Sequence, residues 1–230
     1  MSRKVARLTL DNLAQLDTLL DEGAATPCTT CLFWQLDPVS RDRVAPDEAA
    51  GEKEAWVSHV LREWGSCGRV VLVDDRAVGY AIYAPPAYLP GAAAFPTAPV
   101  SPDAVLLSTV WLHPDHRGGG LGRMLVQGMA RDLVKRGGIA AVEAFGDTRA
   151  PGRGPGRRTC VVPADFLGGV GFKTHRAHGT TPRMRMDLRT AWTWRTEVEA
   201  ALERLVGVVR PSARPAAPGE ARTRWPRLSP

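Results

Sequence analysis

The chain has 230 residues, of which 44% are hydrophobic and 23% charged, a composition typical of a globular protein with one sizeable core. No apolar run is long enough to span a bilayer and no apolar segment follows Met1, so we expect a cytoplasmic protein rather than a membrane or secreted one. Much of the net charge of +6 lies in residues 207–230, where five Arg oppose one Glu. The chain has no Lys clusters and no aromatic repeats, which argues against nucleic-acid binding.

The first half of the chain predicts strands and helices in alternation. Residues 47–64 carry Trp, Val and Leu side chains at helical spacing, and residues 69–84 hold two apolar runs around a turn at Asp74–Arg76. Three prolines within residues 26–47 predict an irregular segment. In chain order, the predicted elements are a strand at 3–10, a helix from Asp11 or Asn12 to about Glu22, a helix at 47–64, and a hairpin with strands at 69–73 and 78–84.

The second half continues this mixed pattern after a proline-rich loop at 85–103. Its elements are a buried strand at 105–112, a glycine turn, a helix to about Arg136, a strand at 139–145, a loop at 146–158, a short helix at 162–169, and strands at 172–178 and 183–188. Residues 1–189 therefore predict one mixed α/β domain. Residues 190–207 predict an amphipathic helix that docks on the body or on a second subunit, and residues 208–230 predict a disordered tail rich in Pro and Arg.

The segment Arg117–Arg123 (RGGGLGR) joins the buried strand at 105–112 to a helix. Glycines let backbone N–H groups approach a ligand closely, and the free amides lie at the positive end of the helix dipole. Such a strand, turn and helix form an anion site, usually for phosphate. The spacing excludes an ATP-binding Walker loop because no Lys-Ser or Lys-Thr pair follows, and it excludes the dinucleotide fingerprint because Arg123 stands where the third Gly belongs.

The glycine segment does fit the pattern Arg117-x-x-Gly120-x-Gly122, which is preceded by a hydrophobic strand and by V-x-L-x-P at 110–114. This pattern resembles motif A of the GNAT N-acetyltransferases, and Gly171-Phe172 resembles the family's second sign, a G-F dipeptide before a late strand. The resemblance covers roughly residues 3–188. It implies the GNAT fold and an enzyme that transfers acetyl from acetyl-CoA to a primary amine of a small molecule or protein. The alternative is a CoA-binding regulatory module with little or no catalysis.

The resemblance also implies roles for individual residues. The fourth strand would splay from the fifth and leave a V-shaped gap for the pantetheine arm, which would pair with the backbone of Val110 and Leu112. The Val110 N–H would stabilise the oxyanion as the amine attacks, with no covalent enzyme intermediate. The pyrophosphate would be held by the glycine turn and the residues around it, namely Arg117, Gly118, Gly119, Gly120, Leu121, Gly122 and Arg123.

Three positions depart from the family's pattern of polar residues. Leu167 stands where many relatives have a Tyr that protonates the leaving thiolate, Cys160 where an Asn is common, and Leu106 where some have a catalytic Glu. For proton transfer we expect Glu143, which strand alternation could aim into the gap, and Cys160, near the acetyl group. Further candidates are Ser108, Tyr83 and His113.

The cysteines and two loops leave alternatives open. Cys28 and Cys31 form a C-x-x-C pair without a second pair to complete a zinc site, so we expect no metal and packed or idle thiols. A redox or inter-subunit disulfide and a metal site are the alternatives. The predicted helix at 190–207 and Cys28 or Cys31 could form the interface of a homodimer. The resemblance places residues 28–35 on the acceptor side. Arginines of the 146–158 loop could reach the 3′-phosphate of CoA or stay solvated.

Overall fold

The computed structural model describes residues 2–12, 31–149 and 161–189. They form an eight-stranded mixed sheet in the order β1-β2-β3-β4-β5-β8-β7, with β6 paired to β5. The strands are β1 (Arg3–Arg7), β2 (Gly68–Val73), β3 (Arg76–Ala84), β4 (Ala104–Leu112), β5 (Ala141–Asp147), β6 (Val162–Pro163), β7 (Lys173–Arg176) and β8 (Arg183–Asp187). The helices are α1 (Pro38–Arg41), α2 (Ala49–Glu63), α3 (Leu121–Arg136) and α4 (Ala164–Gly169). The predicted mixed α/β class is confirmed.

Most predicted elements appear within a few residues of their expected bounds. The β2–β3 hairpin turns at Asp74 and Asp75, whose φ angles of 48° and 66° are those of a tight turn that follows the twist of the strands. The short helix expected at 162–169 begins only at Ala164, because Val162 and Pro163 pair with β5. The proline-rich loop contains two short 3₁₀ turns, at Pro86–Tyr88 and Pro90–Ala94.

The expectation that residues 26–47 are irregular throughout is wrong for the part that is described, because α1 lies there. Pro38 occupies the first turn of this helix, where a missing N–H costs nothing, rather than breaking it. Asp37 caps the turn by accepting hydrogen bonds from the N–H groups of Val39 and Ser40 at 2.9 and 3.1 Å. The Ser40 hydroxyl, which donates to Asp37 Oδ2 at 2.6 Å, holds the pKa of the Asp37 carboxyl below its usual value, and these N–H groups add to the effect.

Several predicted segments lie outside the described residues. Leu10, Asp11 and Asn12 are helical, and the rest of the helix expected to reach Glu22 falls outside. The same is true of Cys28, of Cys160, of most of the 146–158 loop, and of the terminal helix and tail at 190–230. Within the described ranges, no helix is both long and apolar enough to cross a membrane.

Two hydrophobic cores form on opposite faces of the sheet. On one face α3 and α4 pack on β2–β5, with Leu121, Leu125, Met129 and Leu133 facing the strands. On the other face α2 and the turn at 31–36 pack on the sheet. Here Trp34 stacks on Phe95 with ring centroids 5.2 Å apart, and Phe95 stacks on Phe145 at 4.2 Å. This aromatic column fixes the 31–36 turn on the sheet.

Strands β4 and β5 are parallel neighbours over only a short distance. Their pairing runs from Ala104 opposite Ala141 to Leu106 opposite Glu143 and then stops, although both strands continue. Beyond this point the short strand β6 pairs with the end of β5, at Gly146 and Asp147. The second half of β4, residues 107–112, therefore has one edge without a partner strand among the described residues.

Candidate functional site

The unpaired edge of β4 exposes specific backbone groups. The His113 N–H donates to the Val78 carbonyl at 2.9 Å, which fixes the phase of the β3–β4 ladder. In an antiparallel pair, successive residues point their N–H and C=O groups alternately toward and away from the partner strand. With Ala81 opposite Val110 and Gly79 opposite Leu112, the polar backbone groups of Val110 and Leu112 point away from β3, toward the gap.

The glycine turn begins where β4 ends, at the mouth of this gap. Gly120 caps α3 with a φ of 79°, a left-handed conformation that a side chain would strain. The first helical hydrogen bond runs from the Met124 N–H to the Gly120 carbonyl at 3.1 Å. The amides of Leu121, Gly122 and Arg123 precede it and have no helix carbonyl to bind. They therefore remain available to an anion at the positive end of the helix dipole.

Three guanidinium groups surround this turn, and each is held by a backbone carbonyl. Arg117 Nε donates to the Leu112 carbonyl at 3.1 Å, Arg123 to the Gly169 carbonyl at 2.8 Å, and Arg3 to the Gly119 carbonyl at 3.0 Å. None of the three has a carboxylate partner within the described ranges. The turn thus carries uncompensated positive charge, which favours a polyanionic ligand. Sequence reasoning did not find Arg3, because only the fold brings β1 to this turn.

Gly122 gives the turn its close contact with α4. A Cβ at this position would lie 2.8 Å from Cε2 of the Phe166 ring and 3.5 Å from Cδ1 of Leu112. Leu112 ends β4 and Phe166 belongs to α4, so Gly122 allows strand, turn and second helix to meet without a gap between them. A larger residue would push α4 away from the start of α3.

Glu143 is the last residue of β5 that pairs with β4, and it is fully buried. Its Oε2 lies 3.1 Å from Nη1 of Arg183 and accepts the Ser101 N–H at 3.1 Å, and its Oε1 lies 3.2 Å from Nη1 of Arg185. Arg185 also binds Asp103 at 2.8 Å and holds the pKa of that carboxyl below its usual value. Both oxygens of Glu143 are therefore committed to a charge cluster that joins β8 to the start of β4, which favours a structural carboxylate over a proton acceptor.

Three other candidates for proton transfer, Ser108, Tyr83 and His113, have hydrogen-bond partners within the protein. Ser108 lies at the irregularity in the β3–β4 pairing and donates to the Ile82 carbonyl at 3.2 Å. The Tyr83 hydroxyl is buried on the α3 face and donates to Asp132 at 3.0 Å; burial raises its pKa well above the usual value. The His113 ring accepts the Asp115 N–H at 3.3 Å at the surface of the turn. Cys160 lies outside the described residues.

Two of the three positions that depart from the family's pattern are described, and both are apolar. Leu106 and Leu167 are both fully buried, the first in the core under the 31–36 turn and the second in the core beside α3. Neither carries a group that exchanges protons. The described part of the chain contains no cluster of three or more His, Cys, Asp or Glu residues arranged to hold a metal ion.

A small open cleft of about 30 Å³ lies on the face of the sheet opposite α3. Trp34 and Gln35 reach it from the 31–36 turn and Lys53 from α2, while the sheet contributes Tyr80, Ile82 and Thr109. Thr109 lines the cleft and directly precedes Val110, whose backbone faces the gap. The cleft and the gap therefore meet the same part of β4.

Comparison with known proteins agrees with this arrangement. The model of the acetyltransferase (GNAT) family matches residues 31–152, more than half of the chain. The chain therefore belongs to the GNAT acetyltransferase family, and its predicted class of enzyme is confirmed. No curated protein sequence is significantly similar to the chain.

Solved structures show the same fold at low sequence identity. The PaiA N-acetyltransferase from Thermoplasma acidophilum, solved in complex with coenzyme A, is 13% identical; the match covers 81% of this chain and 99% of that one, with a TM-score of 0.52. An N-acetyltransferase from Staphylococcus aureus Mu50 is 14% identical, with 82% and 99% coverage and a TM-score of 0.51. At these identities the likeness shows the shared fold alone.

Proposed function

We propose that the chain transfers acetyl from acetyl-CoA to a primary amine by direct attack of the amine on the thioester. The observation that carries this proposal is the splayed β4–β5 edge, which opens beside a positively charged glycine turn. A CoA thioester needs both features at once, an extended slot for its pantetheine arm and an anion site for its phosphates. The complex of PaiA with coenzyme A supports the same use of this fold.

The proposed binding mode uses backbone groups and guanidinium groups that the described residues leave available. The pyrophosphate is held by amides at the start of α3 and by Arg117 and Arg123, as the sequence predicts for residues 117–123. Gly118 and Gly120 have open space around them, which leaves room for a phosphate against the turn. The pantetheine arm lies along β4 and pairs with the backbone of Val110 and Leu112, as an added strand would.

The chemical step depends on the Val110 N–H. This donor points into the gap and is held by the β3–β4 ladder, so it stabilises the negative charge that develops on the thioester oxygen without a reorganisation cost. The amine nitrogen forms a bond to the acetyl carbon, the carbon–sulfur bond breaks, and the nitrogen loses one proton. A thiolate leaves readily because thiols are more acidic than alcohols, so a dedicated acid is helpful but not required. Among the groups predicted for proton transfer, Cys160 remains a proposal.

Acetyl-CoA consumption tests this function. The full chain is incubated with acetyl-CoA and a panel of primary amines, and free CoA is followed with a thiol reagent. Consumption that depends on an amine supports the transferase. A rise in melting temperature with acetyl-CoA but no consumption would favour the regulatory CoA-binding module. If acetyl-CoA neither raises the melting temperature nor is consumed, both hypotheses are refuted.

We also propose a cytoplasmic homodimer with a single catalytic domain at residues 1–189. The free thiol of the buried Cys67 is compatible with a reducing compartment. The amphipathic pattern at 190–207 supports a dimer, since its apolar stripe needs a surface to cover it. Analytical ultracentrifugation of the full chain and of a chain ending at residue 189 tests this, with loss of the dimer in the shorter chain as the expected result.

A further inference from the structure

Arg3 brings a positive charge to the glycine turn from the edge strand of the sheet. It is the first residue of β1, and its Nη1 donates to the Gly119 carbonyl at 3.0 Å. A Cβ added to Gly119 would lie 3.9 Å from Nη2 of Arg3, so the guanidinium extends along this side of the turn. Within the described ranges this is the one hydrogen bond of the Arg3 guanidinium, which has five N–H donors.

The backbone of β1 holds Arg3 on the face of the sheet that carries α3. At the start of the strand, the Ser2 N–H donates to Asp74 Oδ1 at 2.7 Å, and the Ser2 carbonyl accepts the Asp74 N–H at 2.9 Å. Val5 packs so closely on α3 that a Cβ added to Gly128 would lie 2.8 Å from its Cγ1. Side chains alternate along a strand, so Arg3 lies on the same face as Val5, beside the start of α3.

The charge of Arg3 is not neutralised by any carboxylate of the residues that the structure describes. The two acidic residues of the β2–β3 turn have other partners, since Asp75 binds Lys4 at 2.5 Å and Asp74 accepts the Ser2 N–H. The Arg3 side chain is also exposed, so a ligand in solution can reach it. An exposed guanidinium held beside an anion site adds to the attraction of phosphate there.

The three guanidinium groups reach the turn from different elements. Arg123 is bound to α4 through the Gly169 carbonyl and Arg117 to the end of β4, whereas Arg3 comes from β1. The pyrophosphate is proposed to bind Arg117, Arg123 and the amides at the start of α3. CoA carries one more phosphate, a monoester on the 3′-oxygen of its ribose that is separate from the pyrophosphate. Arg3 is the cation at the turn that remains for this group.

We propose that Arg3 binds the 3′-phosphate of acetyl-CoA and makes the chain prefer CoA to its 3′-dephospho form. The phosphate accepts hydrogen bonds from the N–H groups of Arg3 that the Gly119 carbonyl leaves unused, and that carbonyl keeps the guanidinium beside the turn. Arg149, the described arginine of the 146–158 loop, is bound to Asp147 through Nε at 2.9 Å and Nη2 at 3.0 Å. The inference rests on the proposed function and adds to it a residue that determines specificity for the donor.

The affinities for CoA and for 3′-dephospho-CoA test this assignment. Each ligand is titrated by calorimetry into the full chain, as wild type and as Arg3→Gln, which removes the charge and keeps an amide donor for the Gly119 carbonyl. Loss of one exposed charge pair should raise the Kd for CoA about fivefold at low ionic strength and leave the Kd for 3′-dephospho-CoA within about twofold of wild type. An equal rise for both ligands would overturn the proposal, as would a Kd for CoA that stays within about twofold of wild type.

Arg7→Gln is the matched control for the loss of charge. Arg7 is exposed and lies on the same strand and the same face as Arg3, but roughly 13 Å away along the strand. The control lowers the net charge by the same amount and should leave the Kd for CoA within about twofold of wild type. A rise as large as that of Arg3→Gln would show a general attraction of anions and would overturn the specific role.

The comparison of two ligands keeps the test decisive if a variant is less stable. A variant that merely loosens the turn weakens both ligands alike, whereas loss of the 3′-phosphate contact weakens CoA alone. Arg3→Lys keeps the charge and should retain the preference for CoA that Arg3→Gln loses. If the wild-type chain binds both ligands equally, only this inference is overturned. If it binds neither, the proposed function fails as well.

Discussion

Replacing Val110 with proline removes one hydrogen atom that the proposed mechanism requires. The Val110 N–H points away from β3, so the substitution deletes no ladder hydrogen bond. The residue before a proline must be extended, and Thr109 already lies in a strand. Val110→Pro therefore separates the catalytic donor from the structural hydrogen bonds of the sheet more cleanly than most backbone substitutions do.

The expected loss is large because the donor acts only as charge develops. Removing one oxyanion donor of this kind costs roughly 100- to 1,000-fold in kcat, or about 2.7–4 kcal/mol of transition-state stabilisation. The KM for acetyl-CoA should also rise, because the proline ring occupies the space into which the N–H points. The melting temperature should fall by only a few degrees.

The assay is steady-state CoA release at saturating amine, with the melting temperature measured in parallel. Val110→Ala is the matched control, since it shortens the side chain and keeps the N–H. Trp111→Pro is the contrasting variant, because the alternation places the Trp111 N–H in the ladder with Tyr80, and this chain should lose its fold. If folded Val110→Pro keeps kcat within about threefold of wild type, the oxyanion role of this amide is refuted.

Three further predictions concern packing and burial. Asp132 is 8% exposed and binds the buried Arg69 at 2.5 Å and the half-buried Arg136 at 2.7 Å. Asp132→Ala leaves both cations without this carboxylate and should lower the free energy of unfolding by about 3–5 kcal/mol in a urea titration; a loss below about 1 kcal/mol would contradict this. Gly122→Ala should lower stability by about 1–3 kcal/mol and raise the KM for acetyl-CoA, because its Cβ meets Phe166 at 2.8 Å. If that contact is the cause, Gly122→Ala should have a smaller effect on both when it is introduced into Phe166→Ala than into the wild-type chain. Burial raises the pKa of the Cys67 thiol to about 12, above its ordinary value, so the folded chain keeps this proton and loses stability as the pH rises toward 12. In a chain whose other three cysteines are changed to Ser, maleimide should label Cys67 only after urea unfolding, and rapid labelling of the folded chain at neutral pH would show that the thiol is accessible.

The glycine turn and the strands beside it could be predicted from sequence because their signals are local. A glycine run between an apolar strand and a helical pattern contains the backbone amides that a candidate anion site needs. The late G-F dipeptide and the order of the elements then indicate the family, and through it the splay between β4 and β5 that the structure shows.

The environment of Glu143 could not be predicted in the same way. Strand alternation gives the face on which a side chain lies, but the partners of Glu143 come from β8 and from the segment before β4. The sequence pattern around a carboxylate on a strand is the same whether its partners are arginines of the protein or a substrate. The same limit hides Arg3, whose neighbour Gly119 is more than a hundred positions away in the chain.

The α1 helix shows a different limit, since its signals were local and were misread. Asp37 followed by Pro38 is a sequence that starts helices as readily as it ends them. The prediction gave the proline its role as a breaker and overlooked the capping carboxylate before it.

The charge cluster around Glu143 has a consequence for how the gap moves. It lies at the vertex of the gap, where Arg183 and Arg185 join Glu143, the last residue of β5 that pairs with β4, to the segment that leads into β4. Arg176, on β7, adds a hydrogen bond to the Ala98 carbonyl at 3.0 Å. These contacts hold β4 and β5 together at the closed end of the gap. A change in the width of the gap would therefore be a change in the angle between the two strands. The displacement of β4 from β5 then grows with distance from the closed end and is greatest at Leu112, where the glycine turn begins.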